Sequence, residues 1–335
     1  MLCSYSVIVP VLNESGGIVG TLRSIVESMA YFDDCYPGAA TVHGEIIVVD
    51  EGSTDGTLEH VQECARVNPR LRLVEHHRSL GSGAARNTGV RLARGEVLFY
   101  CDVNDRYFRE HILVGFSLLD RPEGAQEKIP VNTGHSGSDE PFAAVRTGVH
   151  FKQDILPYWR MAIGNSIPLN LCVRRECHEW TEGFPDQAVY RRIGGCEDGA
   201  YNCCLDTFFR VGQVDLETVE HVRTQGNSFD LQMDRFQRPP GSDFDLPHAS
   251  SEGLHSIRLQ LERQKIRYLL DKWRVLGAPP LPAGLLNWNG VVEELLSHRM
   301  PEEAMQIAEQ ATCAGQRVPV ELMAKIRKSL TVEVR

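Results

Sequence analysis

The sequence predicts an α/β fold in which a mainly parallel sheet is flanked by helices and followed by a C-terminal helical extension. Three observations predict it. Short apolar runs at 6–10, 45–50, 71–75 and 96–101 read as buried strands. Segments with helical spacing of apolar residues lie between them, and alternation of this length calls for a sheet covered on both faces. From His255 onward, helical spacing dominates.

Taken in order, SVIVP (6–10) is the first strand, and Asn13, Glu14 and Ser15 form a polar turn with capping residues. Ile18, Leu22, Ile25, Val26 and Met29 then make one apolar helix face, and Pro37-Gly38 breaks the chain. EIIVVD (45–50) is the second strand, ending in Asp50 and Glu51. The Gly-rich turn GSTDGT leads into a helix carrying Leu58, Val61 and Ala65, and 71–75 is the third strand. A Gly/Ala-rich turn and helix spans 81–94. In the fourth strand, the apolar run from Val97 to Tyr100 delivers Asp102 and Asp105, with Asn104 between them.

Beyond residue 110 the pattern changes: a helix at 111–119, a Gly/Ser/Pro-rich loop at 122–140, and strands at 142–151 and 167–173. A polar, Pro/Gly-rich stretch at 237–253 reads as a linker or lid, and helices follow from 255, at 293–311 and at 320–330. The organisation expected is 1–110, 111–232, a linker at 233–254, and a helical extension at 255–335.

Composition narrows the function classes. The 335 residues are 42% hydrophobic and 24% charged, as in an ordinary globular chain with one large core or two joined ones. Lys and Arg total 35 against 45 Asp and Glu, a net charge of −10 without a long basic run, which argues against nucleic acid as a partner. No stretch reaches the roughly 20 apolar residues of a membrane span. Residues 1–10 enter directly into a strand pattern, so no signal peptide is read. The expectation is a cytoplasmic protein, with peripheral contact at the inner face of a membrane open to it. The ten Cys show no CxxC pair, and only Cys203 and Cys204 are adjacent, so they read as reduced thiols rather than a zinc site or disulfide framework.

In parallel sheets ligands bind at the carboxyl ends of strands. Asp50, Glu51, Asp102 and Asp105 all fall there. Carboxylates delivered by a buried strand suit a divalent cation held against a diphosphate.

VIVPVLNE, VVDEGSTDGT, GSGAARNTG, FYCDVND, EGFPD and GCED occur in the order found in family 2 glycosyltransferases, and the resemblance covers roughly residues 5–230. It implies a GT-A, Rossmann-like sheet and sugar transfer, with inversion, from a nucleotide-diphosphate donor to an acceptor hydroxyl. The donor implied is a UDP-sugar, the acceptor a saccharide or lipid-linked sugar, and the cofactor Mg²⁺ or Mn²⁺. Residues 1–110 would bind the donor and 111–232 the acceptor.

The same resemblance implies residue roles. Pro10 to Glu14 would form the loop over the nucleotide, with Glu14 near the ribose or base. Asp50 matches the acid that meets the nucleobase, and Glu51 replaces the usual second Asp with a side chain one methylene longer. Arg86 matches an Arg that meets the nucleotide or its phosphates. Asp102-Val103-Asn104 aligns with the Asp-x-Asp metal motif. Asn104 offers a neutral oxygen there, and Asp105 would restore the missing charge, so the metal set is Asp102, Asn104 and Asp105. Asp198 aligns with the general base, with Glu197 in the same acidic cluster raising its pKa. Arg223 matches a later Arg near the diphosphate. Gln225 stands where a His is often found, and His221 lies nearby but off register.

Trp159 and Trp180 flank the acceptor half, as sugar-stacking surfaces or as core. Nucleotidyl transfer is disfavoured because VPVLNESGG lacks a basic residue after the first strand. A catalytically degenerate nucleotide-sugar binding module is suggested by Glu51, Asn104 and Gln225, while retention of Asp102 with Asp198 opposes it.

Overall fold

Side-chain alternation along the strands determines how the sheet is covered. In the computed structural model, residues 1–120, 141–192, 195–238 and 251–333 are described. The loop read at 122–140 and most of the stretch at 237–253 lie outside them. Strands β1 (Ser4–Val11), β2 (His43–Asp50), β3 (Leu71–Glu75) and β4 (Val97–Tyr100) pair in parallel. Strands β5 (Arg106–Tyr107), β6 (Ala144–His150), β7 (Leu171–Arg174) and β8 (Val211–Glu220) complete a sheet of order β3-β2-β1-β4-β7-β6-β8-β5. β7 runs antiparallel to both β4 and β6, so the parallel half passes into a mixed half.

Val7, Val9 and Val11 of β1 face one core, with Ile46 and Val48 of β2, against α1 (Ile18–Cys35) and α4 (His111–Leu119). Ile8, Ile47 and Val49 face the other, as the period of two requires. α2 (Thr57–Val67) buries Val61 against the first face, and α3 (Ser82–Leu92) buries Ala85 and Val90 against the second.

Short helices α5 (Pro157–Ser166), α6 (Arg175–Trp180) and α7 (Ala188–Arg192) precede α8 (Glu197–Phe208), and α9 (Ser228–Phe236) follows β8. The extension consists of α10 (Ser251–Leu276), α11 (Trp288–Ser297), α12 (Pro301–Cys313) and α13 (Val320–Glu333). It shares the second core: Ile266, Leu269, Leu270 and Trp273 of α10 cluster with Leu205 and Phe208 of α8.

One helix was expected over 293–311, but two occur. Arg299 takes a left-handed φ of 59° between them, and Pro301 opens α12, where its missing N–H costs nothing. No described helix is long and apolar enough to cross a membrane.

Candidate active site

The loops after β1, β2 and β4 form one rim because side chains cap each other's backbones. Asn13 N–H donates to Ser53 Oγ (2.9 Å), and its Oδ1 accepts from Thr54 N–H (2.8 Å). Glu14 N–H donates to Thr57 Oγ1 (2.8 Å) and Ser15 N–H to Asp55 (3.0 Å). Pro10 is buried in β1 opposite Val49. Asp50 is buried, and its Oδ2 accepts from Gly52 and Ser53 N–H (both 3.0 Å). Its Oδ1 is buried without a partner, an open acceptor position at a strand end.

Glu51 is buried rather than solvated. Its Oε2 accepts from Ser79 Oγ (2.8 Å), Leu80 N–H (3.0 Å) and Gly81 N–H (2.7 Å), so the added methylene lets it brace the loop that starts α3. Asn104, at φ 77°, lies along the start of α1. It donates to Glu14 Oε2 (2.9 Å), and a Cβ on Gly17 would fall 1.9 Å from its Oδ1. The carboxamide is thus engaged on the α1 side.

Arg86 is the node of the site. Its side chain is 2% exposed, and it donates to both oxygens of Asp102 (2.7 and 2.8 Å) and to Asp198 Oδ1 (2.6 Å), with Glu197 at 3.7 Å. Burial opposes its charge, but Asp102, Asp198 and Glu197 outweigh burial and raise its pKa. The guanidinium sits over the Phe184 ring, 5.1 Å from its centre.

Neighbouring Asn87 fixes that ring. Its Nδ2 donates to Phe184 O (2.8 Å), and its Oδ1 accepts from Phe184 N–H (2.9 Å). EGFPD therefore holds the floor beneath Arg86. Gly83 makes this approach possible, since a Cβ there would lie 2.7 Å from Pro185 O.

Asp198 and Glu197 open α8. Glu197 accepts a short hydrogen bond from Ser82 Oγ. Asp198 has its pKa raised, first by burial and then by Glu197 and Asp102, with Arg86 opposing. Its side chain remains 28% exposed, which limits the rise. Asp105 is buried at the end of the fourth-strand loop, and its Oδ1 accepts from Val222 N–H and His221 Nδ1 (both 2.9 Å). Burial raises the Asp105 pKa despite His221. The His221 pKa is also raised, because Asp105 and Asp102 outweigh its burial.

A cavity of about 510 Å³ opens over these groups, and Asp102, Asp105, His221 and Asp198 are among its lining residues. Of these, Asp102, Asp105 and His221 offer two carboxylates and an imidazole, donor types that suit Mg²⁺ or, better, Mn²⁺. Among the described residues no three such groups are already close enough to hold a metal.

Asp102, Asp105, Glu197, Asp198 and Arg86 thus come together, while Asp50, Glu51 and Glu14 sit along the adjoining rim. Arg223 does not join them: it is half-exposed and pairs with Asp230 on α9 (2.5 Å). Trp180 packs against Phe208, Phe209 and Trp273, and the Trp159 indole donates to Arg238 O. His221, off register in the sequence, lies beside Asp105. Pairing of Arg106 with Glu220 puts it beside Asp105, a long-range contact with no local signal.

The sequence model of glycosyl transferase family 2 matches residues 6–164. The chain is 28% identical over 127 residues to the amylovoran biosynthesis glycosyltransferase AmsB of Erwinia amylovora, covering 37% of this chain and 38% of AmsB. It is 35% identical over 122 residues to the dolichyl-phosphate β-glucosyltransferase ALG5C of Trichomonas vaginalis, covering 36% of this chain and 32% of ALG5C. The match therefore spans well under half of either relative. Among solved structures, residues 1–349 of S. aureus TarS superpose with a TM-score of 0.52 at 14% identity, covering 94% of this chain and 93% of that one. Residues 6–164 thus match the model of glycosyl transferase family 2, and the chain shares its GT-A fold with TarS.

Proposed function

We propose that this chain transfers a sugar, with inversion, from a nucleotide-diphosphate donor to an acceptor hydroxyl. One observation carries the reading: Asp102, from the end of β4, and Asp198, from the start of α8, meet on one buried guanidinium and open onto one cavity. Asp198 is the general base. It takes the acceptor proton as the oxygen attacks the anomeric carbon and the bond to the diphosphate breaks. Its raised pKa makes it a stronger proton acceptor than an ordinary carboxylate. Arg86 holds the two carboxylates at a fixed separation.

Asp50 offers its unpartnered Oδ1 to a nucleobase N–H, and Glu51 shapes the loop beside it. Asp102, Asp105 and His221 would hold Mg²⁺ or Mn²⁺, which when bound neutralises charge on the departing diphosphate. UDP-sugar is the donor class assigned; TarS, of like fold, is known in complex with UDP-GlcNAc. Residues 1–110 serve the donor and 111–232 the acceptor.

A second reading, a nucleotide-sugar binding module without transfer, is favoured by one feature: Arg86 engages both oxygens of Asp102. The donor assignment is tested by thermal melting with UDP, GDP or dTDP, with and without Mn²⁺. UDP with Mn²⁺ should raise the melting temperature most. No rise with any nucleotide would overturn the reading.

A further inference from the structure

We infer that Lys265, Tyr268 and Lys272 of α10 are positioning residues for sugar transfer: they clamp the Glu182–Gly183 turn and so hold the Phe184 ring under Arg86. The inference rests on the transferase reading and gives the C-terminal extension a part in it. Lys265, Tyr268 and Lys272 recur at helical spacing, beside the apolar stripe of Ile266, Leu269, Leu270 and Trp273. The apolar stripe docks α10 in the second core with α8. The polar stripe converges on the chain that leaves α6. Tyr268 Oη donates to Glu182 Oε1 (2.8 Å), as does Lys272 Nζ (3.0 Å). Lys272 Nζ also donates to Trp180 O (2.8 Å), and Lys265 Nζ to Gly183 O (3.4 Å).

Glu182 and Gly183 both take a left-handed φ, 60° and 68°, which turns the chain beyond α6 and delivers Phe184. Glycine would adopt this conformation at position 182 more easily than glutamate does. What glutamate adds is a carboxylate that reaches α10. Docking of the extension does not account for it, because the Glu182 side chain is 45% exposed and exposed ion pairs add little to stability. Asn87 holds the Phe184 backbone from the α3 side, so the turn is gripped between α3 and α10. The Phe184 ring is itself enclosed, with its centre 4.0 Å from that of Tyr201 and 5.2 Å from that of Tyr100. A shift of the turn therefore carries the ring with it, and moves the surface on which Arg86 aligns Asp102 and Asp198.

The test measures UDP release from UDP-glucose and UDP-GlcNAc by the full chain, with Mn²⁺ and with p-nitrophenyl glucoside, galactoside and N-acetylglucosaminide as acceptors. The UDP-induced melting shift and the exchange rate of the Phe184 amide proton are followed in parallel. Glu182→Gly favours the backbone of the turn and removes the clamp, so its melting temperature should stay close to the parent's. Its kcat should fall about tenfold or more, with the donor KM and the UDP shift kept and the Phe184 amide exchanging faster. Glu182→Gln, whose Oε1 still accepts both bonds, should keep kcat within about threefold of the parent. Lys272→Met should lower kcat as Glu182→Gly does, and it carries the test should Glu182→Gly fail to fold. Phe184→Leu should lower kcat too, and joining it to Glu182→Gly should add little further loss, since both act through one ring. Parent-like kcat in the clamp variants, an unchanged Phe184 amide, a loss confined to donor KM, or additive effects of Glu182→Gly and Phe184→Leu would overturn the inference and leave the transferase reading standing. Absence of UDP release from the parent, with or without the UDP shift, would overturn the transferase reading, and this inference with it.

Discussion

Replacing Arg86 with Met removes the one buried cation between three carboxylates. The guanidinium makes three hydrogen bonds of 2.6–2.8 Å to Asp102 and Asp198 and is almost fully buried. Truncating one member of a buried ion pair costs about 3–5 kcal/mol, because the partner charge stays uncompensated. Asp102 and Asp198 keep some contact with water through the cavity, at 38% and 28% exposure, so the lower end, about 3 kcal/mol, is expected for Arg86→Met. Arg86→Lys keeps the charge but loses the planar fork, at a cost of about 1.5–3 kcal/mol. Adding Asp102→Asn to Arg86→Met should recover part of the loss, with a coupling of about 1–3 kcal/mol. Urea unfolding at pH 7 in 0.15 M salt measures the parent, the single variants Arg86→Met, Arg86→Lys and Asp102→Asn, and the double variant. An Arg86→Met protein within about 1 kcal/mol of the parent, or additive single and double variants, would refute the reasoning.

Three further outcomes are expected. Burial depresses the pKa of His111 and His178 to about 3, so the stability that depends on their being neutral is present above pH 6.5 and lost as pH falls toward 3. At pH 5 each should have cost about 2 kcal/mol, and in urea melts at pH 7 and 5 the His178→Gln loss should be smaller by about that amount. An equal loss would contradict it. Glu51→Ala should destabilise by about 3 kcal/mol by releasing three hydrogen bonds at the start of α3, and should shrink the UDP-induced melting shift; a full shift would show that the brace is irrelevant to the site. Because Glu197 raises the Asp198 pKa, Glu197→Gln should move the acid limb of the kcat/KM–pH profile to lower pH. Movement to higher pH, or none, would remove Asp198 as the titrating base.

Much of the rim that carries Asp50 and Asp102 was legible in the sequence because it is local. A buried strand followed by an acid fixes where the acid goes: Asp50 and Asp102 appear at the carboxyl edge of the sheet for the reason that the apolar runs before them are buried. Contacts made across the fold were not legible. Arg86 matches a nucleotide-binding Arg in the sequence, and only the docking of α8 puts it between Asp102 and Asp198. His221 is invisible until β8 pairs with β5. Asn104 read as a weak cation ligand, yet Gly17 and Glu14 give its carboxamide a place at α1. Arg223 matched a phosphate-binding position, while Asp230, seven residues on, holds it at the surface. The break at Arg299–Pro301 escaped notice because the apolar spacing continues through it.

The most direct measurement is UDP release from UDP-GlcNAc and UDP-glucose, with Mn²⁺ and a saccharide acceptor, by the parent and by Asp198→Asn. The account predicts acceptor-dependent release by the parent, reduced at least a hundredfold in Asp198→Asn, with the UDP-induced melting shift retained in both. Equal release from the two proteins would contradict it.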